Sequence, residues 1–296
     1  MQPLQEPGEN KSGIDVGKLT ASDYSAGVDV LALGYRDGSF EVRTPAPHHL
    51  LSRGKHESAI ANLALSPDGM RLASVDELGT LAVSVLESGQ LNVLDDVRLR
   101  GAPGTIVGLS WDHASRRLAV AVGTQVSVID VEAETKHEAE LNQAVTALAF
   151  TPDGRQLVAA SRRVQFLSLP DLRVTRSVDL SQEGRAQQIT DVRFSHDGRL
   201  LGVLMLGGAA FIDTGTGQLD VAHFRSLDPI GLRFGADGRV VVFARRALYV
   251  GPPAAKQVEA ASHALKGDLS DVEFRKDGSL LFVGDAEDAE LASLFE

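Results

Sequence analysis

The run most suggestive of chemistry is Phe211-Ile212-Asp213-Thr214-Gly215-Thr216. An apolar pair followed by Asp-Thr-Gly is one way to present a carboxylate for peptide hydrolysis by two aspartates that share a proton. That chemistry needs a second Asp-Thr-Gly, and the chain has none. The segment reads instead as a hairpin turn, with Gly217-Gln218-Leu219 repeating Gly89-Gln90-Leu91. Asp191 and Asp271 occupy matching positions in Ile189-Thr190-Asp191-Val192 and Leu269-Ser270-Asp271-Val272. Two carboxylates placed alike suit either an acid–base pair or a pair of satisfied structural aspartates, and the second is favoured. The 8 histidines (48, 49, 56, 113, 137, 196, 223 and 263) have no metal-ligand spacing. His48 and His49 are adjacent, and on a strand they point to opposite faces. The acidic run Asp285, Glu287, Asp288, Glu290 lacks the Asp-x-Asp-x-Asp-Gly order of a calcium loop. Zero cysteines exclude disulfides, thiolate metal sites and a thiol nucleophile. There is no Gly-rich phosphate loop and no nucleophile elbow. The sequence therefore leads us to expect no catalytic constellation, no metal and no cofactor.

These candidates have to be positioned by a repeat. Tight turns follow apolar runs at Ser66-Pro67-Asp68-Gly69, Thr151-Pro152-Asp153-Gly154, Ser195-His196-Asp197-Gly198, Ala236-Asp237-Gly238 and Lys276-Asp277-Gly278, with a diverged copy at Trp111-Asp112-His113. The aspartates at 68, 112, 153, 197, 237 and 277 are spaced by 40 to 44 residues, and one further step back reaches Ser25-Ala26-Gly27. This gives seven units across nearly the whole chain. Before each turn come apolar residues at fixed offsets, such as Ile60, Leu63 and Leu65, or Ile189, Val192 and Phe194. After it come two short β-rich runs and a more polar fourth one. Asp at each turn caps its own backbone and Gly accepts positive φ, so the repeated aspartates are turn residues rather than a metal or acid–base set. Inner strands buried on both faces lose polar alternation. The pattern predicts an all-β, seven-bladed β-propeller of four-stranded antiparallel blades.

Gly54-Lys55-His56, Ile60, Ser66-Pro67-Asp68-Gly69 and Leu72-Ala73-Ser74 track one repeat closely, as does the run from Leu31 to Phe40. On these residues the chain resembles the WD40 superfamily over residues 14–296. No Trp-Asp dipeptide closes any third strand, and the single tryptophan, Trp111, sits on a first strand. In that family an Asp–His–Ser–Trp network stiffens each blade. Here His56 and Ser74 supply two members, with the Asp and Trp positions unfilled. The resemblance implies a non-enzymatic scaffold that holds one or more proteins, alone or within a multi-protein complex. A channel-centred enzyme (lactonase-like or hydrolase-like) and an intracellular small-ligand sensor are the alternatives.

Residues 1–13 read as a disordered polar tail that is not a secretory signal, so a cytoplasmic protein is expected. The Arg-, Ala- and Gly-rich usage suggests a bacterial genome. Ile14 and Val16 alternate within Gly13–Gly17, and such a strand would close the ring on the last blade and cover an exposed edge. The 40 acidic against 29 basic side chains give a net charge of −11, which argues against nucleic acid, and no apolar run is long enough for membrane insertion. Within that acidic chain some cations gather. Arg162-Arg163, Arg245-Arg246 and Arg36 fall between second and third strands. Arg53, Lys55, Arg98, Arg100, Arg185, Arg225 and Lys266 fall near the links from fourth strands to the next blade. Both connections open on one rim, opposite the turn aspartates. The expected function is docking of an acidic partner protein on this rim, with Asp191 and Asp271 as channel candidates.

Overall fold

The computed structural model describes residues 18–45, 49–87, 90–98, 107–180, 188–206, 208–223, 228–253, 263–264 and 268–284. Six four-stranded antiparallel sheets follow one another, each an up-and-down meander. They are β1 Leu19–Ser25, β2 Val30–Tyr35, β3 Ser39–Arg43 and β4 Leu50–Lys55; β5 Ile60–Leu65, β6 Arg71–Asp76, β7 Thr80–Glu87 and β8 Gln90–Arg98; β9 Val107–Trp111, β10 Arg117–Val122, β11 Gln125–Asp130 and β12 Thr135–Glu140. Then come β13 Ala147–Phe150, β14 Gln156–Ala160, β15 Arg163–Ser168 and β16 Val174–Asp179; β17 Ile189–Phe194, β18 Leu200–Met205, β19 Gly208–Asp213 and β20 Leu219–His223; β21 Gly231–Phe234, β22 Val240–Ala244, β23 Ala247–Gly251 and β24 His263–Ala264. A sheet of two strands, β25 Leu269–Phe274 and β26 Leu280–Gly284, ends the described chain. This is a β-propeller. Where seven four-stranded blades were expected, the described residues hold six and this two-stranded sheet. The expected third strand of the last unit, the Gly13–Gly17 closing strand and the acidic run 285–290 lie outside them.

The inner strands β1, β5, β9, β13, β17, β21 and β25 neighbour one another in that order, and β25 returns to β1. Packing follows the sequence offsets. The last apolar residue of each inner strand leans on the preceding blade: Phe150 joins the cross-strand pair Ala119 and Val128, Phe274 joins Val241 and Leu248, and Trp111 joins Ala73 and Val75. Trp111 Nε1 also donates to Ala64 O across that boundary at 2.9 Å. Tyr24, Leu31 and Leu33 pack with Leu281 and Val283, so the last sheet meets the first. Second strands such as Val240–Ala244 are buried along their whole length. Each large apolar side chain so enclosed favours folding by about 1.5–3 kcal/mol. The Asp213 run is a turn: Asp213 Oδ1 accepts Thr216 N (2.6 Å) and Thr216 Oγ1 (2.8 Å), and Gly217 N donates to Asp213 O (2.8 Å).

The repeated turn works as its residues dictate. Gly69, Gly154 and Gly198 have φ of +67°, +65° and +70°, a region closed to most L residues. In the third blade Ser115 takes that place at φ +58°. Asp112 therefore corresponds to Ser66, Thr151 and Ser195 rather than to the turn aspartates, a two-residue correction to the repeat. Its carboxylate does the work of their hydroxyls by accepting Arg116 N (2.8 Å) and Arg117 N (2.9 Å). The hydroxyls of Thr151, Ser195 and Ser279 donate to Asp153, Asp197 and Asp277 and hold those carboxyls below the usual range.

Candidate functional site

The turn face carries arginines of its own, and three of them tie neighbouring blades together, while Arg173 and Arg199 are exposed there. Arg71 Nη1 donates to Ser115 O of the next blade (2.8 Å), Arg117 Nη2 to Gly154 O (2.8 Å) and Arg239 Nη2 to Gly278 O (2.7 Å). Arg117 also pairs with the buried Asp112 at 2.8 Å and lies 5.6 Å from the Phe150 ring centre. Arg239 pairs with Asp237 at 2.6 Å and lies 5.5 Å from that of Phe274. Each of these guanidiniums thus holds one blade to the next. Basic residues are not segregated to one rim.

The opposite face differs. Arg162 and Arg245 sit in the hairpin loops β14–β15 and β22–β23, and Arg36 opens the loop β2–β3. All three are exposed and make no ion pair among the described residues. Arg163 begins β15 and pairs with Asp179 at 3.0 Å, and Arg246 pairs with Asp268. Arg53 lies within β4 opposite Glu41, not in a link, and Lys55 ends that strand opposite Ser39; both are exposed. Arg98 ends β8 opposite Thr80. Arg100, Arg185, Arg225 and Lys266 lie outside the described residues. This face is acidic where the first two blades meet, where Asp37, Glu57 and Glu77 line a cavity with Arg36.

Asp191 and Asp271 come together on a residue that the sequence reading passed over. Arg233 donates from Nη1 to Asp191 Oδ2 (3.1 Å), from Nη2 to Asp271 Oδ1 (3.0 Å) and from Nε to Glu273 Oε1. Ser22 Oγ donates to Asp271 Oδ2 (2.8 Å). Arg193 Nε lies 3.3 Å from Asp191 Oδ2, and Asp23 Oδ2 accepts Leu65 N at 2.6 Å. The two aspartates are positioned by a bulge in their inner strands, where each carboxylate accepts the next backbone N–H, Val192 at 2.9 Å and Val272 at 2.8 Å. Asn62 does the same for Leu63 N.

Arg193, Arg233 and Glu273 each directly precede the phenylalanine that ends their strand, so they share one position in the ring. The same position holds Ala64, Ser110, Ala149 and, on β1, Asp23. One side of the ring is small and the other charged, with four carboxylates facing two guanidiniums. Burial pushes Asp23 up to about 6 and Glu273 up to about 7, against the pull of Arg193 and Arg233. Burial also disfavours charge on Arg233, but Asp271, Glu273 and Asp191 outweigh it and hold its pKa well above the ordinary value. The signal in the sequence was the recurrence of a charged residue before Phe194, Phe234 and Phe274.

Two cavities adjoin this cluster. One, of about 530 Å³, runs along the channel past Asp23, Asn62, Ser110, Thr146, Asp191 and Arg193, reaching His113 and His196 on the turn face. The other, of about 640 Å³, opens on the opposite face and is walled by Ser22, Arg36, Arg233, Arg245, Asp268 and Asp271. No group of three or more His, Asp or Glu suited to a metal ion is found among the described residues. No helix among them is long and apolar enough to cross a membrane.

His56 Nε2 is 2.8 Å from Ser74 Oγ, and its Nδ1 is 3.7 Å from Oδ2 of the buried Asp76. Asp76 thus fills the acidic place that the sequence reading left vacant, while Ala82 stands opposite Ser74 where an indole is absent. Residues 134–163, from the outer strand of the third blade to the start of β15, match the family model described as WD domain, G-beta repeat. Together with the propeller geometry, this match supports a WD40-like β-propeller. Proteins of that family are generally interaction scaffolds and typically non-enzymatic. No curated protein matches the chain in sequence.

Proposed function

We propose that this propeller is a non-enzymatic scaffold, bacterial and cytoplasmic, that docks an acidic partner protein on the face carrying Arg36, Arg162 and Arg245. We read the ring as seven-bladed, because the period of the turn aspartates makes β25–β26 a seventh unit. The observation that carries the docking reading is the contrast between two sets of arginines. Arg71, Arg117 and Arg239 spend their donors on neighbouring blades, whereas Arg36, Arg162 and Arg245 are exposed with no counter-ion among the described residues. Exposed guanidiniums without structural duties favour planar, bidentate contacts to carboxylates. An acid–base role for Asp191 and Asp271 is disfavoured because both are committed to Arg233.

The test is selection from a displayed peptide library by the wild type and by a variant with Arg36, Arg162, Arg163, Arg245 and Arg246 all changed to Glu. Enrichment of acidic sequences by the wild type alone, weakened by salt, is the expected result. Equal enrichment of neutral or basic sequences, or the same selection by both proteins, contradicts the reading.

A further inference from the structure

The 640 Å³ cavity contains a specific imbalance. Of the charges in its wall, Asp268 is paired with Arg246, and Asp271 with Arg233 and Ser22. Arg36 and Arg245 have no ion pair among the described residues, so the cavity's uncompensated charge is two guanidiniums. Ile230, 45% exposed, adds an apolar wall. A carboxylate side chain with an apolar neighbour matches this lining.

Arg233 connects the cavity to the channel, because it lines the first together with Asp271 and pairs with Asp191, which lines the second, and with Glu273. A carboxylate entering beside it competes with Asp271 and Glu273 for the same donors. It also adds a negative charge next to four carboxylates that already outnumber two guanidiniums. The enclosed cluster relieves that repulsion by binding a proton. We propose that the cavity seats a Glu or Asp side chain of the partner between Arg36 and Arg245, and that seating it takes up a proton on the carboxylates around Arg233. This rests on the docking reading above and names its central contact.

Every charged group facing the cluster can be placed. β1 supplies Asp23, β17 supplies Asp191 and Arg193, β21 supplies Arg233, and β25 supplies Asp271 and Glu273. At the same position β5, β9 and β13 present Ala64, Ser110 and Ala149, which carry no charge. Arg36, Arg245 and Asp268 stand at this mouth, and His113 and His196 at the other. Burial brings Glu273 to about 7 and Asp23 to about 6, so the uptake falls near neutral pH, where a partner carboxylate is still ionised.

The test uses fluorescence anisotropy with a short labelled peptide rich in Glu and containing one Leu, and a counterpart with Gln for every Glu. Wild type is compared with Arg36→Glu/Arg245→Glu, Arg162→Glu/Arg163→Glu and Glu273→Gln at about pH 6 and about pH 8. The proposal expects the cavity variant to lose roughly tenfold or more in affinity and the Arg162/Arg163 variant to lose several-fold less. It also expects wild type to bind roughly fivefold tighter at the lower pH and Glu273→Gln to lose most of that dependence. Wild-type affinity in the cavity variant, or a pH dependence unchanged by Glu273→Gln, overturns it. If only the Arg162/Arg163 variant weakens, the cavity is wrong and the broader docking reading stands. If neither double variant weakens binding, or the Gln peptide binds as well, both fail.

Discussion

The two faces of the propeller use the same side chain in opposite ways. On the turn face Arg117 pairs with Asp112 of its own blade, lies against Phe150 and reaches the Gly154 carbonyl of the next blade, so one residue makes two contacts across a boundary. On the other face Arg162 and Arg245 stand in two-strand hairpin loops with no ion pair among the described residues. Arg233, in the channel between them, is the extreme of the first kind, holding carboxylates from β17 and β25. An arginine's type says little until its surroundings show whether its donors are already occupied. Under the docking reading proposed above, the committed arginines serve stability and the uncommitted Arg36, Arg162 and Arg245 serve a partner.

The comparison is sharpest at Arg233. Changing it to Met leaves Asp191, Asp271 and Glu273 without their shared cation in an enclosed site, and a loss of about 3–5 kcal/mol in denaturant unfolding is expected. A change under about 1 kcal/mol would mean that the cluster contributes little to ring closure. Arg117→Ala and Arg239→Ala come next, at roughly 1–3 kcal/mol each, and Arg117→Ala should be the larger because Asp112 is buried while Asp237 is part-exposed. The raised carboxylates give the next effect. A carboxyl whose folded pKa exceeds its unfolded value stabilises fully below the unfolded pKa, and this contribution is lost as pH rises through the folded one. For Asp23 and Glu273 the loss runs from about pH 4 to about pH 7. The depressed turn carboxyls Asp153, Asp197 and Asp277 act the other way, losing stability as pH falls below about 4. Melting temperature should therefore peak near pH 5 and decline toward pH 8, and Glu273→Gln should flatten the decline. A wild-type melting temperature that rises between pH 5 and pH 8 would reverse the assigned sign. The smallest effect is expected at Arg36, Arg162 and Arg245, where Ala should change stability by less than about 0.5 kcal/mol.

Much of the architecture was legible because its signals are local. Asp-Gly turns need a left-handed residue at one place, and apolar offsets place inner strands against both neighbours. The third blade escaped for the same reason: Ser115 adopts the glycine conformation, so the composition shifted the alignment onto Asp112. The candidate site was only half legible. Asp191 and Asp271 were visible as a matched pair, and their partner Arg233 was in plain view before Phe234, but nothing local tells that a charged residue on an inner strand faces three carboxylates from adjacent blades. Asp76 carried no such local signal either. Its role beside His56 depends on a contact that crosses from one sheet to the next.

The central claim is a division of labour between faces, and one paired measurement tests it most directly. Thermal stability and affinity for the Glu-rich peptide would be measured side by side for Arg117→Ala/Arg239→Ala and for Arg36→Ala/Arg162→Ala/Arg245→Ala. The account predicts that the first variant melts lower and binds as wild type, while the second melts as wild type and binds at least roughly tenfold more weakly. If the second variant melts lower and keeps its affinity, its arginines are structural and the account is contradicted.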